Sequence, residues 1–265
     1  MRRRAGLRHR RPLSRRELLA WFGASAALAA VPTRAVAFGE DSLFDMPLVR
    51  YDAPSWNPRP TAIRRLLLEL EMTTSVEIVR EPAVVEFALA DLVETPLVVL
   101  AGDREFPPFD PAAREALRAF LAAGGLLFVD SCEGRADGAF ADAVRREIAE
   151  CLPDAPLAPL PADHVLYRSF YLVEPGPGRL QVADLEGAVL DDRLAVVFSQ
   201  NDLLGAWARD NYGNWEFEMH PGGDRQRQMA IRFGVNLAMY ALCLDYKEDQ
   251  VHVNYLLRRR RWHVD

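Results

Sequence analysis

The apolar positions of this chain change period several times, and each change marks an element. Three stretches are apolar almost without break: Pro96 to Ala101, Leu126 to Val129 and Leu194 to Phe198. Such runs suit strands buried on both faces of a parallel sheet. Met46–Tyr51 and Val76–Val79 read as two further short strands. Between the strands the period becomes helical. Ile63, Leu66, Leu67 and Leu70 recur at helical spacing over residues 59–72. Asp110 and Pro111 form an N-cap and first helical position, and Gly124-Gly125 is the matching stop. Residues 136–150 carry Phe140, Val144 and Ile148 on one face, and residues 84–91 predict a helical turn. Beyond Cys151, four prolines in 152–162 predict a loop. Residues 163–171 predict a helical turn and a short strand. Leu180–Val189 and Arg193–Ser199 read as strands joined at Asp191-Asp192. Residues 200–222 read as one long loop, and Asp224–Leu244 as the longest helix. This alternation predicts an α/β fold, a three-layer open sheet that is mostly parallel.

Charge divides the chain unevenly. Of the net charge of −6, residues 1–37 contribute +8, from nine arginines and Glu17, so residues 38–265 carry −14. A body that acidic repels phosphates, and nucleic acid is not expected as a partner. The basic start is followed by a 14-residue uncharged run, Leu18 to Val31, and by Ala35-Val36-Ala37. Those are the three parts of a secretory signal, and the run is shorter than the ~20 residues that span a bilayer. Ser14-Arg15-Arg16-Glu17-Leu18-Leu19 resembles the twin-arginine export motif, with Leu18 where Phe is usual. The expected organisation is a twin-arginine-type signal at 1–37, a linker at 38–45, one α/β domain at 46–246 and a tail at 247–265. The expected location is the periplasm or beyond; an uncleaved membrane anchor is the alternative. The tail ends in Arg258-Arg259-Arg260-Arg261-Trp262 and could touch an anionic surface.

Candidate chemistry collects where the parallel strands end. Those carboxyl ends carry Asp52, Asp103, Asp130-Ser131-Cys132-Glu133 and Ser199-Gln200-Asn201-Asp202. Open α/β sheets bind ligands at that edge. Cys132 stands at a sharp turn after a strand, where a following helix would favour its thiolate. A nucleophilic cysteine needs a base, and His164, beside Asp163, is the candidate. Glu133 and Asp130 work against a thiolate there. The three cysteines have no metal-type spacing, and Cys151 and Cys243 read as packing residues. No metal and no cofactor is expected. Trp207, Tyr212 and Trp215 gather in the 200–222 loop with Arg209, Asp210, Asn211 and Asn214. That mixture suits binding of a sugar, peptide or protein.

The order strand, Gly102, helix, Gly124-Gly125, strand, elbow at Cys132, helix resembles the class I glutamine amidotransferase-like fold and its trehalose-utilisation-like branch. Closer is a bacterial family known as domain of unknown function 4159. The resemblance rests on Asp163-His164-Val165-Leu166-Tyr167, Arg193-Leu194-Ala195-Val196, Ser199-Gln200-Asn201-Asp202, Trp207 and Arg232-Phe233-Gly234-Val235-Asn236. It implies a flavodoxin/glutamine amidotransferase-like architecture over about residues 45–250. Amidotransferases of this fold have Gly-x-Cys-x-Gly at the elbow and a late His-x-Glu. Here Asp130 replaces the first glycine, and Asn201-Asp202 follows the last core strand without a histidine. The resemblance therefore carries over the cysteine position and not the rest of a glutaminase triad. Two functions stay open. One is a non-catalytic envelope module binding a small molecule or protein through Asp52, Asp103, Glu133, Asn201, Asp202, Trp207 and Trp215. The other is a cysteine-dependent hydrolase or amidase using Cys132 and His164.

Overall fold

The computed structural model describes residues 43–260, with side chains described through residue 243. The segment expected to be a signal, most of the expected linker and residues 261–265 lie outside the described residues. In chain order the elements are β1 (Leu48–Val49), α1 (Ala62–Thr73), β2 (Val84–Val85), α2 (Leu89–Leu92), β3 (Leu97–Gly102), α3 (Pro111–Ala122), β4 (Leu126–Ser131), α4 (Ala139–Cys151), β5 (Ala158–Pro159), a 3-10 turn (Val165–Arg168), β6 (Glu186–Leu190), β7 (Arg193–Ser199), α5 (Leu203–Trp207) and α6 (Gly223–Arg260). The strands form one seven-stranded sheet in the order β2-β1-β3-β4-β7-β6-β5. The first five are parallel to their neighbours; β6 and β5 add an antiparallel edge. Counting only the parallel strands, the order is 2-1-3-4-5, and the chain reverses direction of growth between β1 and β3.

The apolar runs place the layers. Leu97, Val99 and Ala101 join Leu126 and Phe128 in one core, beneath α1 and α6. Val98 and Leu100 join Leu127 and Val129 in the opposite core, beneath α3 and α4. Alternate residues of one strand thus feed two separate cores, which is why β3 and β4 are apolar throughout. Asp110 caps α3 by accepting from Ala113 N at 2.7 Å, with Pro111 at the first helical position. The two helices on that face are tied by Glu147, which is 1% exposed and accepts from Arg114 Nε at 2.8 Å and Phe109 N at 3.2 Å.

Several boundaries differ from the sequence expectation. The expected strand 76–79 is a single bridge, Ile78 to Phe44, so Phe44 belongs to the domain and not to a linker. The strand beside β1 is instead Val84–Val85, within the segment expected to turn as a helix. No strand forms in 163–171; Asn236 of α6 holds that segment by accepting from Phe170 N and Tyr171 N. Residues 203–207 are helical, not loop. Residues 247–260 continue α6, so a separate tail does not begin at 247. Asp191 and Asp192 both have positive φ, 51° and 61°, the geometry of a two-residue hairpin turn. Among the described residues, no helix is long and apolar enough to cross a membrane.

Gly102 ends β3 against the Phe140 ring and the Tyr51 hydroxyl, and a methyl group there would overlap both. Gly102→Ala is expected to lower stability by about 1–3 kcal/mol, since this core has no room to shift. Urea unfolding checks it, and an unchanged midpoint would contradict the packing described.

Candidate functional site

The carboxyl ends of β4 and β7 meet in a buried knot. Asp202 has φ 50°, a left-handed conformation that Asp tolerates, and this turns the chain from β7 into α5. Its amide donates to Ser131 O at 3.2 Å, joining the two strand ends. Its carboxylate is fully buried. Oδ1 accepts from Gly205 N at 3.0 Å and caps α5. Arg59, from the segment before α1, forks onto the same carboxylate at 3.1 and 2.9 Å, and Arg179 closes the other side. The Arg59 guanidinium also covers the Phe217 ring, at 4.0 Å. Burial of Asp202 is thereby matched by two guanidiniums and a helix terminus.

Asp130, the last but one residue of β4, lies beside it. Its two oxygens accept from Leu203 N (3.0 Å) and Leu204 N (2.8 Å), the free amides at the start of α5. Full burial, then the nearby Asp202 charge, push its carboxyl up to about 7 despite those amides. Asp130, Cys132 and Asp202 bring one oxygen or sulfur each within 4.8 Å of one another. That triangle could hold a metal by distance alone. Its oxygens, however, already accept from amides and arginines, so a cation there would displace bonds that hold the fold.

Cys132 follows β4, with its amide donating to Gly102 O at 2.8 Å. The following helix, expected from residue 136, begins at Ala139, seven residues beyond the cysteine. The intervening residues wind so that Glu133, not Cys132, meets the helix end. Glu133 Oε2 accepts from Phe140 N and Ala141 N, at 3.2 and 3.4 Å. The thiol is buried, with long contacts to Asp130 at 3.9 and 4.0 Å and a hydrogen bond to Asp202. Burial first, then Asp130 and Asp202, raise its pKa well above that of a free thiol, and Arg59 offsets only part.

His164 is elsewhere. Its Nδ1 accepts from Leu166 N at 3.1 Å, and its ring lies 6.0 Å from that of Tyr240. The Tyr240 hydroxyl accepts from Leu194 N at the start of β7. Cys132 lies past the opposite end of the strands. Leu194 to Ser199 spans about 16 Å at ~3.3 Å per residue, so the pair sits at opposite edges of the sheet. The expected nucleophile and base are not brought together.

The other expected residues divide in the same way. Asn201 is fully used by the 177–183 segment: Oδ1 accepts from Val182 N and Ala183 N, and Nδ2 donates to Ala183 O at 2.8 Å. Trp207 is a core residue, 1% exposed, with Nε1 donating to Ala230 O and its ring against Phe128. Asp52, shortly after β1, is exposed. Burial pushes the Asp103 carboxyl up, but hydrogen bonds from Arg104 and Ser55 outweigh it and hold it below the usual range. Of the expected binding set, Trp215 lines the groove between α1 and α6. That groove also carries Arg65, Arg209, Arg227 and Arg232. The sequence reading missed this cluster. Its four arginines come from three segments, and only the 3.6-residue period that puts Arg227 near Ile231 on one face of α6 hints at it.

Asp130 supplies a pH test. Its pKa is raised above the unfolded value of 3.8, so the folded protein holds a proton that the unfolded chain releases. Its contribution is present in full below about 4 and falls as pH rises to about 7. Asp130→Asn is expected to remove that downward component from the stability–pH profile. It should also cost about 1–3 kcal/mol throughout, because the amide NH2 faces Leu203 N or Leu204 N. Urea titrations from pH 4 to 8 on both proteins check this; parallel profiles would rule it out.

A family model described as Domain of unknown function (DUF4159) matches residues 45–242, about three quarters of the chain. Curated proteins yield no match. The matched region begins before β1 and ends within α6, so it contains every strand of the sheet and both halves of the knot. The chain belongs to the DUF4159 family.

Proposed function

We propose that this protein is an exported, non-catalytic module that binds a small molecule or an envelope protein. One observation supports the non-catalytic part above others. The polar groups at the carboxyl edge are bonded to the protein's own amides and arginines, and the thiol among them faces carboxyls and does not have its expected histidine within reach. A nucleophile needs the reverse: a lowered pKa, access and a partner imidazole. Cys132 has a raised pKa, is buried, and has its expected histidine at the other edge of the sheet. The basic, apolar and Ala-Val-Ala segments of residues 1–37 support export.

Both parts can be tested. Cys132 in the folded protein is expected to resist iodoacetamide up to pH 9 and to react only on unfolding, as read by mass spectrometry of its own peptide. Hydrolysis of p-nitrophenyl acetate or glutamine that disappears in a folded Cys132→Ala variant would overturn the reading. Replacing Arg15 and Arg16 together with Lys is expected to keep the full-length protein in the cytoplasm, and unchanged fractionation would count against twin-arginine export.

A further inference from the structure

The groove between α1 and the first turns of α6 has a volume of about 530 Å³. That is within the ~300–1,000 Å³ of small-molecule sites. Arginines dominate its charge. Arg65 comes from α1, Arg209 from the segment after α5, and Arg227 and Arg232 from α6. Two acids line it, Glu69 and Asp224, and Glu69 is already paired with Arg65 at 3.3 Å.

Their hydrogen bonding is incomplete. Arg227 is 5% exposed. Its Nη1 and Nη2 donate to Ala206 O at 2.8 Å and Phe217 O at 2.6 Å, yet its Nε is buried without a partner. The Nε atoms of Arg65 and Arg209 are buried and unpartnered as well. An unsatisfied buried donor costs about 1–3 kcal/mol, more when charged. All three arginines line one groove, whose walls therefore hold more guanidinium donors than acceptors. Trp215 is held between two of these guanidiniums, with Arg209 at 3.8 Å and Arg227 at 4.3 Å from its ring centre. The cations also crowd one another. Burial and then Arg65 lower the pKa of Arg209; burial, and Arg209 and Arg179 against the opposing pull of Asp224, lower that of Arg227. The lining also has an apolar part, Met72, Ile231 and Val235, the last two following Arg227 at i+4 and i+8 on one face of α6.

We propose that this groove binds a small organic anion, its carboxylate or phosphate head against Arg65, Arg209 and Arg227 and its apolar body along Met72, Ile231 and Val235. This rests on the binding-module reading and moves the site from the sheet edge to the helix layer. Guanidiniums suit both head groups because their donors form a fork. Water alone could satisfy the free donors, but it would leave the apolar wall and the excess positive charge without a counterpart.

The probes are octanoate, octyl phosphate, octanol and inorganic phosphate, titrated calorimetrically into the full chain at low salt. Octanoate or octyl phosphate is expected to bind once per chain, at least about tenfold tighter than octanol and more weakly as salt rises. The two charged octyl probes tell a carboxylate site from a phosphate site. Arg209→Gln and Arg65→Gln should each weaken binding about tenfold, the loss of one charge-assisted bond. Both are partly exposed, so thermal melting should confirm that the variants fold, whereas buried Arg227 is left intact. Octanol binding as tightly as octanoate, phosphate alone binding, no probe binding to folded protein, or full affinity in both folded variants would each overturn the proposal. Those outcomes leave the binding-module reading standing; that reading falls instead on Cys132-dependent hydrolysis.

Discussion

The fold turns on the burial of two carboxylates side by side. Asp130 ends one central strand and Asp202 follows another, and their oxygens lie within 4.8 Å. Two such charges in a protein interior repel strongly and lose their hydration. The structure answers with three sources of positive potential: Arg59, Arg179 and the amino end of α5. Each has a structural consequence. Arg59 holds the entry to α1 over the sheet. Arg179 holds the irregular segment between the 3-10 turn and β6. The amides of α5 fix the chain leaving β7. Parts of the chain more than a hundred residues apart thus converge on one pair of acids.

The same pair of acids sets the surroundings of Cys132. An amidotransferase-like elbow needs glycine before the cysteine, because the chain turns sharply there and the thiol must reach a substrate. In this chain Asp130 occupies that place and uses both oxygens to cap α5. The same substitution that organises the knot surrounds the thiol with negative charge and burial. Glu133 then takes over the capping of α4 that an elbow would leave to its own amides. Structure and chemistry compete for one position here, and the hydrogen bonds show that structure has it.

The sheet and its layers were legible in the sequence wherever a signal was local. Runs such as Leu97–Ala101 and Leu126–Val129 announce strands with two buried faces, and Asp110-Pro111 announces a helix start. The carboxyl edge was legible as a place, because strands must end in polar turns. Its chemistry was not. Asn201 and Glu133 look like ligand groups in sequence, and only three-dimensional pairing reveals that amides of residues 182–183 and 140–141 already occupy them. Trp207 reads as a binding aromatic beside polar neighbours, but one turn of helix, itself taken for loop, swings it into the core. The Cys132–His164 pair failed for a topological reason: the histidine lies in the long connection between β5 and β6, where its ring meets Tyr240 near the start of β7, and sequence order does not say at which end of a strand such a segment passes.

The arginine groove was invisible for a related reason, and it sharpens what an unsatisfied group can mean. Arg65, Arg209 and Arg227 are far apart in the chain, and each has a bland reading by itself as a helix-surface or loop cation. Brought together, they leave three Nε donors without acceptors while the two acids of the knot have their oxygens bonded to amides and arginines. Evolution of a stable fold tends to remove buried donors that nothing satisfies, since each one costs more than a surface ion pair returns. A protein that satisfies its buried carboxylates this thoroughly and leaves its guanidiniums short is therefore asymmetric in one direction. At the helix layer four arginines face two acids, and the proposed groove is where a further anion would enter.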